Sequence, residues 1–228
     1  MTLSELRTLA RQRLDDQRAE KYLWDNTELN SYINQAINEA AIRSRSILDS
    51  TTGSCCAINV IAGKSVYPLH PSVFQIKRVF DNTNKTTINK TGFDELDERV
   101  IDWQSQTGNP THYIDDMNHY GDDDVKKHSI TLFPVPTAPL TLKLTVFRTP
   151  LYALTETDEP ELPSFQHADL IYWACYLAYT KHESVVNDAQ KAAEMEKKFI
   201  ESFGQKQDAR KLEWRRKYRP IRTVGQFF

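Results

Sequence analysis

FQHADLIYWACYLAYTKH, running from Phe165 to His182, decides how the rest of this chain is arranged. Wound as a helix, its apolar residues cover most of the circumference. A helix that is apolar nearly all round is buried between other elements, so Trp173 and Leu177 are expected in a core. Small units bury too little surface to enclose such a segment alone. Partners must therefore come from elsewhere in the chain, and helical patterns stand at both ends.

At the amino-terminal end, Thr2 and Glu5 have the spacing of a capping box, in which each side chain satisfies a free backbone N–H. Leu3, Leu6, Leu9, Ala10 and Leu14 follow on one stripe. A second helix opens around DNTE and carries Leu29, Tyr32, Ile33, Ala36, Ile37, Ala40, Ala41, Ile47 and Leu48 at three- and four-residue intervals. Beyond the opening segment, a last helical run begins near Asn187 with Ala189, Ala192, Ala193, Phe199, Ile200 and Phe203. Gly204 is expected to interrupt it.

Between these ends the period changes to two. AINVIAGKSVYPL reads as two strands around Ala62-Gly63-Lys64, and SVFQIKRVF as a third, ended by the turn signal DNTN. TGFDELDERVIDW reads as a short helical or irregular excursion. THYIDDM, SITLFPV and LTLKLTVFR return to strand. In the last, Leu140, Leu142, Leu144 and Val146 share one face, and Thr141, Lys143 and Thr145 the other, which predicts a sheet with one wet side. Pro160 and Pro163 then stop the chain before an expected helix cap at Ser164.

The predicted fold class is α+β. Residues 1–49 and 164–204 form a discontinuous helical bundle, residues 50–163 an inserted, mostly antiparallel β lobe, and residues 205–228 an extended C-terminal tail. That tail is unusual for a chain end. From Gln205 onward there are eight basic residues against two acidic, a net of +6, leaving −8 on the remainder of a chain whose formal charge is −2. EWRRKYRPIRTVGQFF closes it, with Arg215, Arg216, Arg219 and Arg222 interleaved with aromatics and Phe227 and Phe228 at the end. A solvated end, an arm that docks in a groove, and a nucleic-acid contact using arginine and aromatic stacking all fit this composition. The acidic remainder disfavours a polyanion, and terminal phenylalanines gain most from a pocket.

Catalytic and cofactor signatures are missing from the sequence. No two of the 7 glycines lie closer than ten residues, so neither a P-loop nor a dinucleotide fingerprint can be written. The 6 histidines and 3 cysteines show no paired metal-ligand spacing. His167 and Cys175 share a predicted helix, but eight residues separate them by about 12 Å along its axis. Cys55, Cys56 and Cys175 read as reduced packing residues. DDMNHYGDDDVKKH reads as a solvated hairpin tip rather than a calcium loop, and FDELDER as an exposed face. The expectation is a non-enzyme with no cofactor and no metal. No run approaches the about 18–20 apolar residues of a membrane span. MTLSELRTLARQRLDD lacks the apolar core of a signal peptide, so a cytosolic setting is expected.

Several stretches together resemble the head-to-tail adaptor (connector) proteins of tailed bacteriophages, particularly the tail tubular protein A type of short-tailed phages. They are the opener MTLSELRTLARQRLDD, YLWDNTELNSYINQAINEAAIRSRSIL, the strand pair through AGKSVYPL, TGNPTHYI with Trp103, Gly108 and Pro110, LFPVP, and ELPSFQHADLIYWACYLAYTK. The resemblance implies a helical core with a β-rich lobe, and a homo-oligomeric ring, commonly of twelve copies. Such a ring docks under the portal protein and holds the tail tube or nozzle protein below, with DNA passing through unbound. It implies a virion protein at the head–tail junction, assembled in the host cytoplasm, and supplies no catalytic residues. The tail would be the docking arm, with Arg215, Arg216, Arg219, Arg222, Phe227 and Phe228 making its contacts. The alternative is a nucleic-acid-binding module that uses the same basic tail.

Overall fold

A computed structural model of the chain describes residues 1–18, 22–120, 126–181 and 187–206. Helix α1 (Leu3–Leu14) starts on the expected capping box: the Thr2 hydroxyl accepts from the Glu5 N–H at 3.3 Å, and the Glu5 carboxylate accepts from the Thr2 N–H at 3.0 Å. Helix α2 (Asn26–Ser44) is capped by Asp25, which accepts from the Glu28 N–H at 2.6 Å. Leu29, Ile33, Ala36, Ile37, Ala40 and Ala41 line its buried stripe. The helix ends earlier than its apolar pattern suggests, because Arg45 turns into the left-handed region at φ 51. Ile47 is still buried, whereas Leu48 is exposed and opens a strand.

The middle of the chain runs β1 (Leu48–Asp49), α3 (Gly53–Cys56), β2 (Ala57–Val60), β3 (Val66–Pro68), β4 (Val73–Asp81), β5 (Thr86–Thr91), α4 (Phe93–Arg99), a 3-10 turn at Trp103–Ser105, β6 (Thr107–Gly108), β7 (His112–Tyr120), β8 (Lys126–Phe133), β9 (Val135–Pro136) and β10 (Leu140–Arg148). The large sheet has the order β1-β10-β4-β5-β7-β8-β3, and β2 also pairs with β10. Its neighbours are antiparallel except β5 and β7, which are parallel because α4 and the turn carry the chain across between them. β6 and β9 form a separate parallel pair. Strand β5 was not legible as a strand, since Thr86–Thr91 offers only Ile88 as an apolar side chain.

β2 and β3 do not pair with each other. Each joins a different end of the sheet order, β2 on β10 and β3 on β8, so the short link between them requires the sheet to curl. Val79, Ile88, Tyr113, Ile130, Leu132, Leu142, Leu144 and Val146 pack inside that curl. The alternation read in β10 holds: Leu140, Leu142, Leu144 and Val146 are buried, and Lys143 is exposed.

After a 3-10 turn at Ser164–Asp169 come α5 (Leu170–Tyr179) and α6 (Ala189–Phe203). Ser164 makes no capping bond, and α-helix begins only at Leu170, which corrects the expected cap. α5 packs against α1, α2 and α6. Leu3, Leu6, Ile33, Ile37, Leu170, Ile171, Ala174, Phe199 and Phe203 form one cluster across these four helices. A second cluster gathers Leu14, Trp24, Leu29, Cys175, Tyr179 and Met195.

Trp173 and Leu177 depart from expectation. With Tyr172 and Tyr176 they are only half-buried, while Leu170, Ile171, Ala174, Cys175 and Ala178 fill the core. Aromatics can occupy such a boundary, with the ring partly covered and one edge wet. The Arg43 guanidinium covers Trp173 at 4.6 Å from its ring centroid, and Phe199 packs at 5.0 Å. Gly204 ends α6 as expected: its φ of 85 suits glycine, and its N–H donates to Ile200 O at 2.8 Å. No helix of the described residues is long and apolar enough to cross a membrane.

Candidate interaction surfaces

Arg215, Arg216, Arg219, Arg222, Phe227 and Phe228 lie outside the described residues. The last described residue, Lys206, is exposed, and its ammonium stands 3.9 Å from Glu39 of α2. Lys206, the last described residue of the basic segment, therefore lies beside the C-terminal half of α2.

An ion-pair network at Arg148 links the sheet to the segments that join it to the helices. The alternation of β10 turns this residue to the same buried side as Leu144 and Val146, so its charge needs partners there. Arg148 Nε donates to Asp49 Oδ2 at 2.7 Å, and its Nη2 donates to Glu161 Oε2 at 2.6 Å. Asp49 lies just beyond α2, and Glu161 just before the helical turn into α5. Both passages of the chain between helices and sheet thus meet on one guanidinium. Burial alone would raise the Asp49 carboxyl. Hydrogen bonds from the Thr51 N–H and from Arg148 outweigh it and hold the group well below the usual carboxylate range.

The second buried charge sits in the sheet. Asp115 shares the inward parity of Tyr113 on β7, and no solvent reaches its side chain. His128 of β8 contacts its Oδ1 at 2.6 Å, and Lys90 of β5 pairs with its Oδ2. The hairpin reading therefore needs correcting here: Asp115 is a buried anchor, not part of a solvated tip. Residues 121–125, which hold three of the other four aspartates of that tip, lie outside the described residues. Burial pushes the Asp115 carboxyl up, but His128 and Lys90 outweigh it and bring it down to about 2, from an ordinary 3.8. A depressed carboxylate stabilises the fold above its unfolded value and ceases to do so as pH falls through the folded one. Asp115 should thus contribute about 2 kcal/mol at neutral pH and lose it between about pH 4 and pH 2. In urea titrations across that window, the stability gap between the native chain and Asp115→Asn should close; a constant gap would contradict this assignment.

The cysteines are free and buried. Cys55 and Cys56 stand 3.6 Å apart at sulfur beside Asp49, an arrangement close enough for a shared cation. Asp49 is already engaged there, accepting from the Thr51 and Thr52 N–H groups and from Arg148. Burial pushes the Cys56 thiol up to about 12, which keeps it protonated and a poor ligand. Cys175 is likewise pushed up to about 12 by burial. His167 is buried in the turn before α5, where its Nε2 donates to Leu162 O at 2.8 Å. These groups make packing and structural hydrogen bonds. FDELDER forms α4, with its acidic side chains exposed over a buried Leu96.

A structural adaptor of bacteriophage virions is the class to which these observations attach, through a family comparison: the model described as SU10 adaptor protein matches residues 1–223. The chain belongs to the SU10 adaptor protein family, a structural rather than catalytic kind of protein. No curated protein matches it.

Proposed function

We propose that this chain is a head-to-tail adaptor that forms a homo-oligomeric ring, of twelve copies, between the portal protein and the tail tube or nozzle protein. In this it resembles the tail tubular protein A type. The family match over residues 1–223 carries the reading. Residues 1–49 and 164–204 act as one helical bundle, residues 50–163 as the inserted lobe, and residues 205–228 as the arm that docks on the portal or an adjacent subunit. The shared core of α1, α2, α5 and α6 supports the bundle, and the Arg148 network supports a wedge that keeps its shape under load. Head-to-tail contacts between such wedges close when each rotation is a fixed fraction of a turn. A net charge of −8 outside the arm suits a channel through which DNA passes without being held.

Mass measurement in solution, alone and with the portal protein, tests this. The full chain should assemble into a ring and be retained by the portal. A variant ending at Lys206 should keep its far-ultraviolet dichroism, since α6 precedes the cut, and lose portal retention. Equal retention of both would remove the arm from portal docking and leave the adjacent subunit as its partner, and a monomer under every condition would remove the ring. Steep salt-dependent retention on DNA would instead favour a nucleic-acid-binding module.

A further inference from the structure

We propose that the acidic, apolar face formed by α4 and the turn after it is the acceptor for the C-terminal segment of a second copy of this chain. This rests on the ring reading above and adds the docking surface to it. Two large apolar side chains stand out here: Ile101 is 93% exposed and Phe93 is 44% exposed. Beneath them Leu96 packs with Trp103, Ile114 and Phe133. The Trp103 indole N–H donates to Asp97 at 2.7 Å, and its ring lies 6.0 Å from that of Phe93. Trp103 is also one wall of a half-open cavity of about 120 Å³, completed by Ser65, Gln104, Thr131, Leu132 and Val135. This volume is below the about 150 Å³ of an apolar cavity that accepts benzene, so the void takes the edge of an aromatic ring rather than a whole one.

Charge selects the occupant. Between Phe93 and Asp102 the chain carries Asp94, Glu95, Asp97, Glu98 and Asp102 against Arg99 alone, a net of −4. Arg99 is itself paired with Glu95 at 2.7 Å. Residues 205–228 carry +6 and end on Phe227 and Phe228. An aromatic anchor at the cavity while arginines meet the α4 carboxylates, which adjoin its wall through the Asp97–Trp103 hydrogen bond, fits that chemistry. The 22 residues beyond Lys206 can extend up to about 70 Å. The α4 carboxylates steer the approach and the buried ring slows release.

Mixed-tag disulfide trapping of full-length chains tests the proposal. One chain carries Ile101→Cys and the other Gln226→Cys; the native cysteines are buried and leave the reporters unambiguous. Mild oxidation should give an adduct bearing both tags. Adding Asp94→Lys and Glu98→Lys to the first chain should reduce it about tenfold, and adding Arg215→Glu and Arg219→Glu to the second should restore it. No adduct, an adduct indifferent to charge reversal, or trapping within one chain carrying both cysteines at high dilution overturns the proposal. The mass of the untreated assembly separates the two levels. A ring without the adduct defeats the docking surface alone, whereas absence of any assembly, with or without portal protein, defeats the ring reading and this proposal with it.

Discussion

Arg148→Ala should lower the unfolding free energy by about 3–5 kcal/mol, the range for removing one partner of a buried ion pair. Arg148 is buried, and truncation strands Asp49 and leaves the Glu161 carboxylate without its guanidinium. Its neighbours cannot compensate fully. The Thr51 and Thr52 N–H groups reach Asp49 Oδ1, while Oδ2 has Arg148 and, besides it, only a weak contact from the Cys55 thiol at 3.9 Å. Urea denaturation measures the loss directly. Adding Asp49→Asn to Arg148→Ala should cost much less than the two changes summed, because residues in one network are not additive. Additive losses, or an Arg148→Ala loss below about 1 kcal/mol, would mean that the pair does not lock sheet to helices.

Phe199→Ala should cost a similar amount, about 3–5 kcal/mol, through lost transfer energy and the void left behind. Phe199 has no exposed surface, and its ring lies 5.0 Å from Trp173 of α5 and 4.6 Å from Phe203. Arg43 of α2 also stands over it at 5.2 Å. Removing the ring therefore loosens α6 from two helices at once. Thermal and urea unfolding followed by far-ultraviolet dichroism should both register it. Trp173→Ala should cost less than Phe199→Ala despite the larger side chain, since Trp173 is only half-buried. The reverse order would relocate the centre of this core.

The candidate surfaces were partly legible in the sequence. Arg148 continues the inward parity of Leu140 to Val146, so its charge could be marked as needing partners, whereas Asp115 could not, because the adjacent apolar Tyr113 and Ile114 are both buried and set no parity for it. Which carboxylates answer Arg148 was not legible, because Asp49 and Glu161 lie 99 and 13 residues away from it. The cavity beside Trp103 was equally hidden. It is walled by the tip at Ser65, by the turn at Trp103 and by strand residues such as Thr131 and Val135, which only the curl of the sheet assembles.

By itself, the sequence determined whatever depends on neighbours a few residues apart. The Thr2–Glu5 box, the Asp25 cap, the α2 stripe, the alternation of β10 and the stop at Gly204 are all set by hydrogen bonds and periodicity within one or two turns. Tertiary structure alone decided the rest. Thr86–Thr91 became a strand because β4 and β7 offer it backbone partners on both sides, although its own side chains are mostly polar. β2 and β3 parted because their hydrogen-bonding edges are completed by β10 and β8 rather than by each other. α5 kept a half-wet aromatic face because its three packed neighbours, α1, α2 and α6, leave Trp173 and Leu177 at the boundary. The physical reason is common to all three: pairing and enclosure are properties of what arrives alongside a segment, and no local pattern carries that information.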